Sequence, residues 1–445
     1  MSRPCLRLIA VLVILVTGGI GQPALSAGFL NNIQGGGAAA VSTAGQTAIA
    51  EDATTIYYNP AGMTLLNRPE IVLVSGFVSI SNEFRNAGTT DGLGQPASGS
   101  GGIKDELFAV PSLFAAMPLS DRLNVGLGLF TPFGQINKYA DDWVGRYQLQ
   151  SISLKTIDIE PAVAYRVSDT FSLGAGLDIQ YAHLVRKNAI DFGALCFATV
   201  GPATCPGLGL LPENADGKFT ADADDWNVGF NLSALYHLGD STHVGLNYRS
   251  AVRHNFSGEA RFDVPPAAGP LTGGGILFQN TSVQSTLTFP EVVALGLSQT
   301  IDDKFTLLVD VDWTGWSRFK QVTINFGNPA QPAQSLSPNW DDSMRFAVGG
   351  IYHFSEDTDF RAGISYDQSA VSDTYRGADL PDSGTTMFSV GAMHRFDERI
   401  SAIISYSYGH SSAAPVNLSM PTAGTLTGTF HRSSNALGLQ VRVQL

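Results

Sequence analysis

From residue 70 to the last residue, apolar side chains recur at every second position. Leu173, Ala175, Leu177, Ile179 and Tyr181 share one face, and Ser172, Gly174, Gly176, Asp178 and Gln180 share the other. Val244, Leu246, Tyr248 and Val252 alternate with His243, Asn247, Arg249 and Arg253. Leu437, Leu439, Val441, Val443 and Leu445 alternate with Gln440, Arg442 and Gln444. A strand turns successive side chains to opposite faces, so the pattern predicts strands with one apolar and one polar face. After residue 26 nothing approaches the ~20 apolar residues that a spanning helix needs.

Fourteen segments carry the pattern, at 70–83, 105–118, 122–132, 151–168, 170–187, 224–239, 241–260, 281–300, 303–324, 340–355, 357–373, 384–397, 398–411 and 427–445. Many exceed the ~9–11 residues with which a tilted strand crosses a bilayer, whereas soluble sandwiches use about 5–6. The connections alternate in length. Short turns such as Ser120-Asp121, Ser168-Asp169, Gly239-Asp240 and Glu356-Asp357 follow long Gly-, Pro- and Ser-rich loops such as 84–104, 133–150, 188–223 and 261–280. Short turns on one side of a membrane and long loops on the other give that alternation. The expected fold is all-β: a 14-stranded antiparallel transmembrane barrel.

The mean hydropathy of +0.08 fits this, because lipid-facing and lumen-facing residues cancel in an average. The net charge of −13 and the absence of any basic run argue against a nucleic-acid partner. Arg3 and Arg7, the apolar residues 8–16 and the small residues at Ala24 and Ser26 predict a secretory signal over residues 1–26. Beyond it only Cys196 and Cys205 remain, close together in an exported loop, and they read as a local disulfide. A metal site is the alternative, without a His or second Cys pair at ligand spacing. No cofactor is expected.

Residues 27–69 are small-residue-rich and weakly patterned, with Gly35-Gly36-Gly37-Ala38-Ala39-Ala40 at their centre. They read either as a periplasmic tail or as a plug inside the barrel 70–445.

Several motifs follow one another in a telling order. They are Ala27-Gly28-Phe29; residues 48–62 with Asn59-Pro60-Ala61; Phe289-Pro290-Glu291; residues 313–319; Trp340-Asp341-Asp342 before Arg345; residues 363–367; and Leu380-Pro381-Asp382. In this series the chain resembles the FadL (OmpP1/FadL/TodX) family of outer-membrane transporters for hydrophobic compounds. The resemblance implies a barrel with an N-terminal hatch inside it, and a ligand that lands on an apolar groove of the extracellular loops. The ligand then enters a pocket beside the hatch and leaves sideways at a kinked third strand. Leaving sideways suits a fatty acid, which prefers bilayer to water by ~0.8 kcal/mol per buried methylene.

On this resemblance Phe29, Asn59, Pro60 and Ala61 are hatch and gating residues. Phe133, Tyr139, Trp143, Phe197, Leu208 and Leu210 are candidates for the loop groove, since exposed apolar loop tips mark binding surfaces. Gly126 and Gly128, with Pro132, are candidates for the strand kink. Parity puts Arg249, Arg253, Arg345 and Arg361 on the lumen face as candidates to hold a carboxylate, with ion pairing inside the barrel as the other role. The basic contacts of the family do not carry over: one falls near Lys187, and loop 325–339 has no Lys or Arg.

The expected function is outer-membrane uptake of long-chain fatty acids or similar hydrophobic molecules, with alkanes or monoaromatic hydrocarbons as the alternative cargo. The expected state is a monomer among outer-membrane lipid and lipopolysaccharide. A barrel lipid hydrolase is the alternative of another class. It is disfavoured because there is no Gly-x-Ser-x-Gly elbow and the histidines are scattered.

Overall fold

A computed structural model describes residues 28–101 and 106–445. The expected signal over residues 1–26 lies outside the described residues. The strands are β1 (Glu70–Asn86), β2 (Glu106–Pro118), β3 (Leu123–Phe130), β4 (Gly134–Lys138), β5 (Ser151–Arg166), β6 (Phe171–Asp191) and β7 (Asp216–His237). They continue as β8 (Thr242–Arg249), β9 (Val252–Asp263), β10 (Thr281–Phe289), β11 (Val292–Asp302), β12 (Phe305–Thr314), β13 (Val322–Phe326) and β14 (Gln334–Leu336). The last are β15 (Ser343–Ser355), β16 (Thr358–Asp367), β17 (Thr385–Arg395), β18 (Ile400–Ser411), β19 (Ala414–Met420) and β20 (Gly424–Gln444).

These strands form a closed barrel of 14 antiparallel staves, in which the pairs β3–β4, β8–β9 and β10–β11 are each one broken stave. The rim carries β13, β14 and β19. Closure joins first strand to last, from Glu70 opposite Gln444 to Asn86 opposite Gly428. The sheet thereby has no free first or last strand, which hydrocarbon demands of a backbone it surrounds.

Burial is inverted relative to a water-soluble sheet. Leu127, Val163, Leu177, Leu232, Leu295, Val348, Ile364, Val390, Ile404 and Leu439 are exposed on the outer face. Asp158, Glu160, Asp178, Asn231, Arg249, Asp310, Arg345, Arg361 and Gln440 are buried on the inner face. Outward apolar and inward polar residues are the signature of a barrel in lipid.

The breaks change the parity on which the sequence reading relied. Gly245, Asn247 and Arg249 of β8 face inward, but past Ser250 and Ala251 it is Val252, His254 and Phe256 that do so. Arg253 is therefore exposed on the outside, which corrects its assignment to the lumen. Ser250 covers the break: its hydroxyl accepts from the Phe230 N–H at 2.9 Å and its N–H donates to the Phe230 carbonyl at 2.8 Å.

Residues before β1 fold inside the barrel as short helices, α1 (Gly36–Ala40), α2 (Gln46–Ile49) and α3 (Thr55–Tyr58), followed by a 3-10 turn (Pro60–Leu65). Small residues matter here because hatch backbone lies directly on the wall. A Cβ at Gly245 would sit 1.8 Å from the Thr47 carbonyl oxygen, and one at Gly363 would sit 2.1 Å from that of Val41. Charged wall residues fasten the same surface. Arg361 grips Glu51 with two bonds, at 2.6 and 3.0 Å. Arg345 donates to the Ser42 carbonyl and pairs with Asp312 at 2.9 Å and Asp367 at 3.4 Å. Arg249 donates to the Tyr57 carbonyl at 3.2 Å and pairs with Glu160 at 2.9 Å and with Asp178.

Candidate functional site

On the long-loop side of the hatch lies a cavity of about 430 Å³, within the usual range for a small-molecule site. Its walls are apolar: Leu154, Leu184, Phe256, Leu287, Phe319, Trp340 and Leu380, with Phe29 contributed by the hatch. Among the described residues, Arg186 is the one Arg or Lys that lines it. Arg186 comes from β6, pairs with the Asp379 carboxylate and donates to the Gln148 carbonyl at 2.8 Å.

Phe29 sits in a cage of aromatic rings. Its ring centroid is 4.7 Å from Trp316, 5.5 Å from Phe289, 5.7 Å from Phe319 and from Trp340, and 6.0 Å from Phe133. Gly28 precedes it at φ +68°, where a Cβ would meet the Trp316 ring at 2.3 Å, so only glycine fits. The Gly28 N–H donates to Asp382 at 3.3 Å, and Ser369 donates to the same carboxylate oxygen at 3.0 Å. Burial pushes the Asp382 carboxyl above its ordinary range, while Arg432 and the Gly28 N–H draw it back.

The segment that carries Phe29 also fills a break in the wall. β2 pairs with β3 from Leu113–Leu129 to Pro118–Asn124, and among the described residues no ladder joins β2 to β4. Between β3 and β4 the chain turns aside at Thr131, Pro132 and Phe133. The backbone groups freed there are taken up by the N-terminal segment, as groups at membrane depth must be. Asn31 N–H donates to the Pro132 carbonyl at 2.7 Å, and Gly134 N–H donates to the Phe29 carbonyl at 2.9 Å. The Asn31 and Gln34 side chains both donate to the Thr131 carbonyl, at 3.0 and 2.6 Å.

Two of the expected kink residues need correction. Gly126 and Gly128 lie in the regular β2–β3 ladder, not at the break. Their missing side chains make room for the hatch: a Cβ at Gly126 would meet Ile56 at 2.6 Å and Met63 at 2.7 Å. Gly128 faces Phe130 and Ile56 in the same way.

Asn59 is the corner post of the hatch. Its amide donates to the Thr47 carbonyl at 2.6 Å and to Ala234 of the wall at 3.0 Å, and its oxygen accepts from the Ala61 N–H at 3.1 Å. Pro60 opens the 3-10 turn, and the Ala61 N–H also donates to Ser233 of the wall at 2.9 Å. These residues join hatch to wall and do not line the apolar cavity.

Most of the expected groove residues lie elsewhere too. Tyr139 and Trp143 stack at 4.0 Å and are buried with Phe84 and Phe430 in a packed roof. Phe197 and Leu210 pack around the Cys196–Cys205 disulfide, whose Cα atoms are 5.9 Å apart, and Leu208 is exposed beside it. None of these five lines the cavity. Phe133 does belong to the site, in the cage around Phe29. Arg249, Arg345 and Arg361 face the lumen but are engaged by carboxylates and hatch carbonyls. Sequence reasoning missed Arg186, although the inward parity of Ser172 to Gln180 continues unbroken to it.

Comparison with known proteins agrees with this architecture. Residues 19–445 match the family described as outer membrane protein transport protein (OMPP1/FadL/TodX). A putative outer membrane protein of Neisseria meningitidis serogroup B is 29% identical over 425 residues, covering 90% of this chain and 91% of the relative. The long-chain fatty acid transport protein of Escherichia coli O6:H1 is 27% identical, with 88% of each chain covered. The crystal structure of a Pseudomonas aeruginosa FadL homologue superposes with a TM-score of 0.84 at 22% identity, covering 94% of this chain and all (100%) of that one. The toluene transporter TodX of P. putida superposes at 0.65 and 15% identity, covering 96% and 99%, a likeness of fold alone. With nearly its whole length matched and its hatch seated in a broken-walled barrel, the chain belongs to the OMPP1/FadL/TodX family of outer-membrane transport proteins.

Proposed function

We propose that this barrel takes up long-chain fatty acids, or molecules of similar length, from outside the cell and releases them sideways into the outer membrane. One observation carries the reading: Phe29 both floors the apolar cavity and, through its own carbonyl and the next residues, covers the break in the third stave. A chain that enters the cavity and displaces Phe29 from its cage pulls the covering segment off Thr131–Gly134. The gap beside β2 then opens to lipid, and apolar surface moves from one dry environment to another without crossing water. The protein works as a monomer among lipid and lipopolysaccharide, residues 1–26 are removed on export, and residues 27–69 act as the hatch. It performs transport and no bond chemistry. The alternative cargo, an uncharged hydrocarbon, has one observation in its favour: Arg186 is already occupied by Asp379.

Leu287→Glu tests the cavity. It places a carboxylate without a partner in the apolar wall, a costly burial that disfavours an alkyl chain there. Palmitate uptake by cells that depend on this protein is expected to fall about tenfold or more, since 1.4 kcal/mol is already tenfold, with the heat-modifiable barrel intact. Unchanged uptake would remove the cavity from the route.

Asn59→Ala tests the hatch. The variant strands the Thr47 carbonyl and removes the side-chain partner of the Ala234 carbonyl, at about 1–3 kcal/mol for a group left without a partner, while the Ala61 N–H keeps its bond to Ser233. Slowed uptake with normal barrel assembly is expected. Loss of the barrel itself would make Asn59 a folding residue only.

A further inference from the structure

The cavity holds a charge arrangement that the transport reading does not require. Arg186 is fixed on a barrel strand, with its side chain only 8% exposed. Its guanidinium is met by the carboxylate of Asp379, a loop residue whose side chain is 37% exposed. Arg186 and Asp379 both line the cavity, whose other walls are mainly apolar. An apolar pocket that ends on one cation suits a molecule with an alkyl chain and an anionic head, and Asp379 already presents such a head from the protein's own chain.

We propose that Asp379 is a built-in competitor for the head-group position at Arg186. A ligand carboxylate must exchange with it, whereas an uncharged molecule of the same length enters without exchange. This rests on the fatty-acid reading of the cavity and adds what sets its selectivity. Nη1 of Arg186 is engaged by Asp379 and Nη2 by the Gln148 carbonyl, so a ligand carboxylate that seeks Nη1 contends with Asp379 for it. Desolvating a second carboxylate without a partner is costly. The side that yields is the loop, because Asp379 has water to move into and Arg186 has none. Moving the side chain need not move the backbone: the Asp379 carbonyl is held separately, by Asn137 at 2.6 Å and by Gln135, and the adjacent Ala378 carbonyl by the Tyr139 hydroxyl at 2.8 Å. Asp379 thus acts on specificity through Arg186 and is a positioning residue.

The test is equilibrium binding of palmitate and of 1-hexadecanol to the detergent-solubilised full-length mature barrel. Asp379→Asn keeps the shape and removes the competing charge. It is expected to tighten palmitate about tenfold, the scale of a hydrogen bond to a charged group, and to leave hexadecanol within about twofold. Arg186→Gln added to Asp379→Asn is expected to cancel that gain for palmitate and again spare hexadecanol. Asp379→Ala gives a second route to the same ratio if the asparagine variant assembles poorly, since the backbone carbonyl bonds survive in both. Palmitate affinity unchanged by either variant, or both ligands weakening together as a purely structural pair would require, overturns the proposal. If the wild-type barrel and every variant bind neither ligand, it is the fatty-acid reading that fails. Hexadecanol bound normally with palmitate insensitive to Asp379 refutes the competitor alone.

Discussion

Replacing Arg345 with alanine is expected to turn a closed barrel into a leaking one. The guanidinium is buried between Asp312 and Asp367 and reaches the Ser42 carbonyl of the hatch, so one side chain holds wall and plug together. Its removal leaves Asp312 facing a low-dielectric interior without its cation and takes one partner from Asp367. Breaking a buried ion pair from one side costs about 3–5 kcal/mol, mostly from the charge left behind. The stave ladders do not depend on Arg345, since β15 pairs with β12 and β16 along its length. The cost therefore falls on the hatch. Single-channel conductance in a planar bilayer is expected to rise from near zero to frequent large openings, with the variant still heat-modifiable. Arg345→Lys keeps the charge but reaches fewer partners, and should lie between the two. A variant as tightly closed as the wild type would show that the hatch is held by packing and not by this clamp.

How much of this was legible in the sequence depends on which residues face which solvent. Leu173 to Tyr181 and Leu437 to Leu445 declare their faces because lipid accepts only one kind of side chain and the lumen prefers the other. The breaks were not legible in the same way. Nothing in Tyr248-Arg249-Ser250-Ala251-Val252 announces a change of parity, because the Ser250 hydroxyl replaces a ladder bond without any marker such as proline. Arg253 was misplaced for that reason. In the third stave the marker was present, as Pro132, which lies at the break, whereas the two glycines named with it do not. Gly126 and Gly128 are small to admit Ile56 and Met63, a fact of tertiary packing that one strand cannot show.

The site itself was half visible. Phe29 came through on the N-terminal motif, and Phe133 as an apolar residue of a long loop, though it is buried in the cage around Phe29 and not exposed at a loop tip. Tyr139 and Trp143 did not line the cavity: apolar side chains in a long loop can pack on one another, and their stacking under the rim hides them from any ligand. Leu154, Leu184, Phe256 and Leu287 were overlooked because an apolar lumen face contradicts the alternation used to find the strands. Such exceptions to a local rule are where a functional cavity is to be sought.

The largest effect on transport is expected from fixing the N-terminal segment to the wall. Leu30 and Phe133 form an antiparallel bridge. The flanking bonds, Asn31 N–H to Pro132 and Gly134 N–H to Phe29, mark the two residues as a non-hydrogen-bonded pair. Cα atoms in such a pair are ~4.5 Å apart, inside the about 4.4–6.8 Å that a disulfide spans. The double variant Leu30→Cys and Phe133→Cys should therefore close a bond in the oxidising exterior and hold the cover over the gap. The native Cys196–Cys205 bond, buried on both sides, stays out of the exchange, and wild type given the same reductant controls for it. The measurement is palmitate uptake by cells relying on this barrel, before and after reduction. Uptake at the level of cells lacking the protein while the bond is closed, restored on reduction, is the predicted result; wild-type uptake through fully cross-linked barrels would contradict lateral release behind a moving N-terminal segment.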